Sequence, residues 1–166
     1  CGALIPVIPL LLLKDLGHRT VLVAAALLAV SPSLVFYSRY SIHEIPFVLA
    51  GLFFMAVFYR WLAEGNRRDL YLAAASAVIL IALKETFVFT GIGALIAALL
   101  TFRPADLIDL VKKQRREIGY AFLGGAIGVI FIYTGGGRWT KGIIELLSAL
   151  PQWFWRGTSV VVGHFK

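Results

Sequence analysis

The feature that most constrains this fold is a series of long apolar segments separated by short charged connectors. Hydrophobic residues make up 60% of the 166-residue chain and charged residues only 15%, whereas a soluble domain is nearer to half apolar and a quarter charged. The clearest segments cover residues 20–37, 43–62, 70–83, 87–100 and 118–133. We therefore predict an all-α, polytopic transmembrane helical bundle with about five to seven membrane helices.

Both ends of the sequence depart from this pattern. Residues 2–13 are too few to cross roughly 30 Å of hydrocarbon at 1.5 Å per residue, so we interpret them as the last turns of a helix. Residues 143–162 are interrupted by Pro151 and contain Trp153 and Trp155, which is typical of a segment lying partly at the headgroup level. We expect residues 1–166 to form a partial transmembrane domain.

The formal charge of +7 resides mainly in the connectors, which favours anionic lipid headgroups over nucleic acid as the partner of the basic residues. If the connectors alternate between the two faces of the membrane, most basic residues fall on one side, which the positive-inside rule makes cytoplasmic. This side holds ten of the sixteen Lys and Arg: Lys14, Arg19, Arg60, Arg67, Arg68, Arg103, Lys112, Lys113, Arg115 and Arg116.

Residues 38–44 place three ionisable side chains where one apolar segment ends and the next begins. These are Arg39, His43 and Glu44, and such groups near the hydrocarbon cost several kcal/mol unless they are paired or hydrated. They are therefore a candidate functional site on the non-cytoplasmic face. An ion pair between Arg39 and Glu44 just outside the bilayer explains the same residues equally well.

A second polar break, Lys84 to Thr86, separates two apolar segments of fourteen residues each and predicts a tight hairpin. Its tip falls on the same face as Arg39, so two hairpin tips are expected to converge there. Arg offers a planar fork and Lys a point charge for phosphate oxygens. The candidate substrate-binding residues are Arg39, Tyr40, His43, Glu44, Lys84 and Glu85. Alternatively, Lys84 and Glu85 cap helix ends, and His43 bonds to a backbone carbonyl.

Other kinds of site are poorly represented in the sequence. No glycine loop of the phosphate-binding type opens a helix, and the three histidines lack zinc-ligand spacing. We expect no cofactor, although the sequence leaves a divalent metal ion open. Gly124 and Gly128 are spaced for close helix contact. Residues 103–113 fit either an amphipathic surface helix or a simple charge cluster that sets topology.

Residues 27–40, LLAVSPSLVFYSRY, followed by an acidic residue five positions after Arg39, resemble the GT-C glycosyltransferases. Within them, the chain is most similar to the protein O-mannosyltransferase and aminoarabinose-transferase group, in the prokaryotic branch concerned with lipid-linked glycan assembly. Gly17 and Arg19 before this helix, and Lys84 at the outer end of a later one, fit the same pattern. The resemblance covers most of residues 2–133.

The resemblance implies a multi-pass enzyme of the plasma membrane with its site on the non-cytoplasmic face. Such an enzyme transfers a sugar from a polyprenyl-phosphate donor to a glycan, lipid or protein acceptor. Arg39 and Lys84 would then meet the donor phosphate, and Glu44 would be a secondary acidic residue. The family's main catalytic carboxylate lies on the first outer loop, which is expected upstream of residue 1, so these 166 residues are expected to be catalytically incomplete.

Two other functions remain as alternatives. Ionisable groups near membrane depth also occur in transporters and lipid-linked-glycan flippases, although these usually show internal repeats and a site near the midplane. A non-catalytic assembly subunit is the third hypothesis.

Overall fold

The computed structural model describes residues 2–38, 44–84, 86–136 and 138, and these residues are all-α. A 3-10 helix, Gly2–Leu12, comes first. Seven α-helices follow: α1 (Leu13–Val30), α2 (Pro32–Ser38), α3 (Glu44–Glu64), α4 (Arg67–Leu83), α5 (Phe87–Thr101), α6 (Pro104–Lys113) and α7 (Arg115–Tyr133). The predicted all-α fold is confirmed.

Two of the described helices, α3 and α7, are long and apolar enough to cross a membrane, and the number rises to four if each of two bent pairs forms one span. In one pair the 3-10 helix and α1 join α2 with a bend of 54°, and in the other α5 joins α6 with a bend of 115°. The predicted five to seven helices also counted shorter segments, such as those of α4 and α5, and residues 143–162, which lie outside the described residues.

The helices reverse direction at short turns. Gly17 has φ 74° and ψ 160°, which breaks the helix within the polar connector predicted there. After this break the chain runs back towards its first residues. The end of α2 lies beside Gly2, because a Cβ added to Gly2 would be only 2.5 Å from the Cβ of Ser38. The chain also bends near Pro32, since α1 ends at Val30 and α2 starts at Pro32.

The second connector is shorter than predicted. The sequence indicated a polar segment over residues 63–69, but α3 continues to Glu64 and α4 begins at Arg67. Gly65 adopts a left-handed φ of 66°, and the side chain of Asn66 accepts a hydrogen bond from the backbone N–H of Arg68 at 3.1 Å. Because Asn66 caps α4, two residues suffice to turn the chain.

Contacts between connectors define two ends of the bundle. Lys14 Nζ lies 4.0 Å from Glu64 Oε1, and the Tyr59 and Phe102 ring centroids are 5.8 Å apart. We call this the basic end, and we call the opposite end, where α3 begins and α4 ends, the Glu44 end. The grouping of these connectors on one side agrees with the predicted alternation.

A buried glutamine ties two turns together at the basic end. Trp61 Nε1 donates to Gln114 Oε1 at 3.0 Å, and Gln114 Nε2 donates to the carbonyl oxygen of Gly65 at 2.5 Å. Trp61 also belongs to a buried apolar cluster with Leu70 and Ala121. The turns between α3 and α4 and between α6 and α7 are therefore held to one core.

Two ion pairs reinforce this end. Arg60 Nη2 lies 3.4 Å from Asp69 Oδ2, and the Asp69 side chain is only 4% exposed. Arg67 Nη1 lies 3.0 Å from Glu117 Oε1, and the Tyr71 hydroxyl donates to Glu117 Oε2 at 2.5 Å. A nearly buried carboxylate such as Asp69 requires a cation, so Arg60 has a structural role.

The basic connector after α5 is helical. Pro104 occupies the first turn of α6, where the missing N–H costs nothing. Its apolar Leu110 packs on the Trp61 cluster, while Lys112 and Lys113 end the helix. Residues 104–113 are therefore helical, while the choice between a membrane-surface helix and a charge cluster that sets topology stays a prediction.

The predicted close helix contact at Gly124 and Gly128 is half right. A Cβ on Gly128 would lie 3.3 Å from Val78 Cγ1, and one on Gly125 would lie 3.7 Å from Val78 Cγ2. A Cβ on Gly124 would meet nothing within 4 Å. Val78 thus packs on the Gly125 side of α7, and Gly124 takes no part.

We predict that Gly128→Val destabilises the protein by about 1–3 kcal/mol, because the new side chain overpacks the contact between α4 and α7. The matched variant Gly124→Val introduces the same side chain where there is space, so its loss should be smaller. Thermal unfolding followed by circular dichroism in detergent measures both. Equal losses for the two variants would contradict the packing described here.

We also predict that Gln114→Leu lowers the free energy of unfolding by about 1–3 kcal/mol, because it leaves the buried Trp61 N–H without its acceptor. The double variant Trp61→Phe/Gln114→Leu removes donor and acceptor together. Its loss should be smaller than the sum of the two single losses. A strictly additive double-mutant cycle would show that the hydrogen bond contributes nothing.

Candidate functional site

The structure describes two of the six predicted site residues. Glu44 is the first residue of α3, and Lys84 directly follows the last residue of α4. The other four, Arg39, Tyr40, His43 and Glu85, lie outside the described residues. The geometry of the site therefore rests on Glu44 and Lys84.

These two residues form an ion pair although 40 positions separate them. Lys84 Nζ lies 3.4 Å from Glu44 Oε1. The pair joins the start of α3 to the end of α4, at the end of the bundle opposite to the basic end. The two hairpin tips that the sequence analysis expected to converge do meet here, at Glu44 and Lys84.

Helix dipoles favour the charges where they are. The N-terminus of α3 carries partial positive charge beside the Glu44 carboxylate, and the C-terminus of α4 carries partial negative charge beside the Lys84 ammonium. The Glu44 side chain is 44% exposed and the Lys84 side chain 35%. An exposed pair of this kind contributes little to stability, and its charges are accessible to a ligand.

The backbone holds Lys84 firmly. Its N–H donates to the Leu80 carbonyl at 3.1 Å, and its own carbonyl accepts from the Phe87 N–H at 3.2 Å. Both bonds are those of a helix end closing into the next turn. The Lys84 side chain consequently starts from a fixed position, while its four-carbon stem keeps the ammonium adjustable.

Within the part of the chain that the structure describes, the Lys84 ammonium uses only part of its hydrogen-bonding capacity. Lysine carries three N–H donors, and among the residues that the structure describes Lys84 has one acceptor, Glu44. An anion can therefore bind to Lys84 while the contact with Glu44 persists.

Tyr133, which is not among the predicted site residues, supports the Glu44 end of the bundle. The Tyr133 hydroxyl donates to the carbonyl oxygen of Ile81 at 2.9 Å, so the end of α7 is tied to the last turn of α4. A signal was present, because tyrosine at the end of an apolar segment is typical of the membrane interface. The partner carbonyl could not be inferred from sequence.

An apolar groove of about 720 Å³ lies between the 3-10 helix, α3 and α4. Its lining includes Leu4, Leu49 and Phe53. On α3 the lining starts at Pro46, two residues after Glu44, and on α4 it ends at Ile79, five residues before Lys84. The same half of the bundle thus holds the ion pair and an apolar groove.

No metal site is evident in residues 2–38, 44–84, 86–136 and 138, where no group of three or more His, Cys, Asp or Glu side chains could hold an ion.

Comparison with known proteins gives a family match. The family described as dolichyl-phosphate-mannose-protein mannosyltransferase matches residues 1–133, which include the Glu44–Lys84 pair, the groove and all seven helices. No curated protein and no solved structure matches the chain. With its apolar helices and a match over most of its length, the chain belongs to the dolichyl-phosphate-mannose-protein mannosyltransferase family, a family of GT-C-type membrane glycosyltransferases.

Proposed function

We propose that this chain is part of an enzyme that transfers a sugar from a polyprenyl-phosphate donor to an acceptor on the non-cytoplasmic face of the plasma membrane. The observation that carries the proposal is the Glu44–Lys84 pair beside an apolar groove. The family description names dolichyl-phosphate-mannose as donor, which belongs to the same chemical class of lipid-linked sugar.

The donor and the site share the same division into charged and apolar parts. A polyprenyl-phosphate sugar has an anionic phosphodiester at one end and a long hydrocarbon tail at the other. Lys84 supplies a cation whose three N–H donors meet one acceptor, Glu44, among the described residues. The groove from Pro46 towards Phe53 supplies an apolar surface that starts two residues after Glu44. The phosphate would bind at Lys84 and the first isoprene units along α3.

The remaining predicted residues complete this proposal. Arg39 would add a planar fork that binds two phosphate oxygens at once. His43, Glu44 and Glu85 would contact sugar hydroxyls or orient the two cations, and Tyr40 would contribute its hydroxyl. These roles follow from the family resemblance and from the sequence, in which residues 39–43 directly precede α3.

The reaction would be an inverting displacement. The acceptor oxygen attacks the anomeric carbon while the bond between that carbon and the phosphate oxygen breaks, and the polyprenyl phosphate leaves with the bonding electrons. A carboxylate base takes the proton of the acceptor hydroxyl. Lys84 and Arg39 stabilise the charge that develops on the departing phosphate.

We predict that Lys84→Ala weakens binding of a labelled polyprenyl-phosphate sugar by about 10- to 100-fold, the range expected for losing one charged hydrogen bond. Lys84→Arg, which keeps the charge, should retain part of the affinity. Lys14→Ala is the matched control, because Lys14 also faces a glutamate but lies at the basic end. Binding is measured with the full-length protein in detergent.

Two results would count against this site. One is unchanged binding by a folded Lys84→Ala variant. The other is equal affinity for the phosphate-free polyprenol, which would show that the tail alone is recognised.

Arg39→Ala should weaken binding of the same donor by at least about tenfold, and Arg39→Lys should be intermediate because the bidentate fork is lost. Arg68→Ala is the control, since Arg68 is an exposed arginine in the first turn of α4, at the basic end. If both alanine variants bind alike, the role of Arg39 is structural or absent.

Product analysis separates transfer from transport. An enzyme of the proposed kind releases polyprenyl phosphate as the sugar reaches its acceptor, whereas a flippase moves the intact donor across the bilayer. Proteoliposomes containing the full-length protein should therefore accumulate polyprenyl phosphate. Movement of intact donor without this product would favour the transporter alternative.

A further inference from the structure

A second charged site lies at the basic end, far from Glu44 and Lys84. It is a polar cavity of about 570 Å³ formed where the α3–α4 turn meets the α6–α7 turn. Its lining includes two glutamates, Glu64 and Glu117, and five cationic residues: Arg67, Lys112, Lys113, Arg115 and Arg116. The cavity therefore carries a net positive charge, and the proposed transfer reaction makes no use of it.

The two glutamates are already engaged. Glu117 binds Arg67 at 3.0 Å and accepts from the Tyr71 hydroxyl, and Glu64 lies 4.0 Å from Lys14. In the part of the chain that the structure describes, Lys112, Lys113, Arg115 and Arg116 have no acidic partner within 4.0 Å. Among the described residues, four exposed cations thus line one cavity without an ion-pair partner of their own.

These cations are mounted on a rigid turn. Gln114, which separates them, is buried and bonded to both Trp61 and Gly65. The backbone on each side is helical, with Gln114 N–H donating to Leu110 and its carbonyl accepting from Ile118, both at 2.9 Å. A ligand binding here would not have to order the turn, which lowers the entropic cost of binding.

The surroundings of the cavity fit the membrane interface. Helix α6 bends 115° away from α5, so it can follow the membrane plane where α5 crosses the bilayer. On α7, Tyr120 lines the cavity and is 56% exposed, as expected for an aromatic residue at headgroup depth. Two and three residues further along α7, the apolar Phe122 and Leu123 are exposed where acyl chains would lie.

From this arrangement we infer that the cavity binds the headgroup of an anionic phospholipid in the leaflet at the basic end. The phosphodiester would lie among Lys113, Arg115 and Arg116, and the acyl chains would run along the exposed face of α7. A phospholipid fits better than a soluble anion, because the cations of the cavity lie next to exposed apolar residues of α7. The phosphate and the acyl chains of a phospholipid are joined in the same way. The inference does not depend on the proposed sugar donor.

The test is lipid binding to the full-length protein by native mass spectrometry. Phosphatidylglycerol and phosphatidylcholine with identical acyl chains are titrated separately. The wild-type protein should prefer phosphatidylglycerol by about tenfold or more, since each Lys or Arg near the headgroups contributes about fivefold. The preference should fall as ionic strength rises.

The decisive comparison is between two variants that lose the same number of charges. Lys113→Gln/Arg115→Gln/Arg116→Gln alters the cavity and should lower phosphatidylglycerol affinity by about tenfold or more. Arg19→Gln/Arg68→Gln/Arg103→Gln removes three charges from the same end outside the cavity lining and should stay within about twofold of wild type. Arg116→Gln alone, with an expected loss of about fivefold, serves if the triple variant does not fold.

Three outcomes would overturn the inference. Equal losses in the two triple variants would mean that the attraction is diffuse rather than built into the cavity. Unchanged affinity in the folded cavity variants would exclude the site. Competition by soluble glycerol phosphate at the same affinity as the lipid would assign the cavity to a free anion instead.

Discussion

The hydrocarbon core of the membrane excludes charged side chains from the middle of the helices. Charged residues therefore lie at the two ends of the bundle, and the rest of the structure depends on this constraint. No charged residue occurs between Glu44 and Arg60 in α3, or between Glu117 and the end of α7. Charged groups that are crowded into two layers must pair with one another or stay hydrated. Pairing links helices that are distant in sequence, as it does between Glu44 and Lys84.

The charged groups at the two ends of the bundle differ in how far they are buried. At the basic end, short turns, the buried Gln114 bridge and the nearly buried Asp69 leave the helices tightly held. At the Glu44 end, the ion pair is partly exposed, and an apolar groove is lined from Pro46 onwards. A lipid-linked anion requires accessible charge and a hydrophobic surface, and this requirement is the basis of the site proposed at this end.

Hydropathy predicted most helix positions, including the break at residues 84–86. It failed where the outcome depended on a single contact. The polar connector after α3 proved to be only two residues long because Asn66 caps α4. Gly125, rather than Gly124, faces Val78 together with Gly128, since a helix that is apolar on all sides gives no signal of its rotation about its own axis.

The sequence by itself determined where apolar segments begin and end, that charges gather in connectors, and which family the chain resembles, because hydropathy and short motifs are local properties. Tertiary structure alone decided that Glu44 meets Lys84, that Tyr133 holds the end of α4, and that the basic connectors enclose a cavity around Gln114. These contacts join residues about 40 to 50 positions apart. Their distances follow from how helices pack and rotate against each other, which local pattern does not encode.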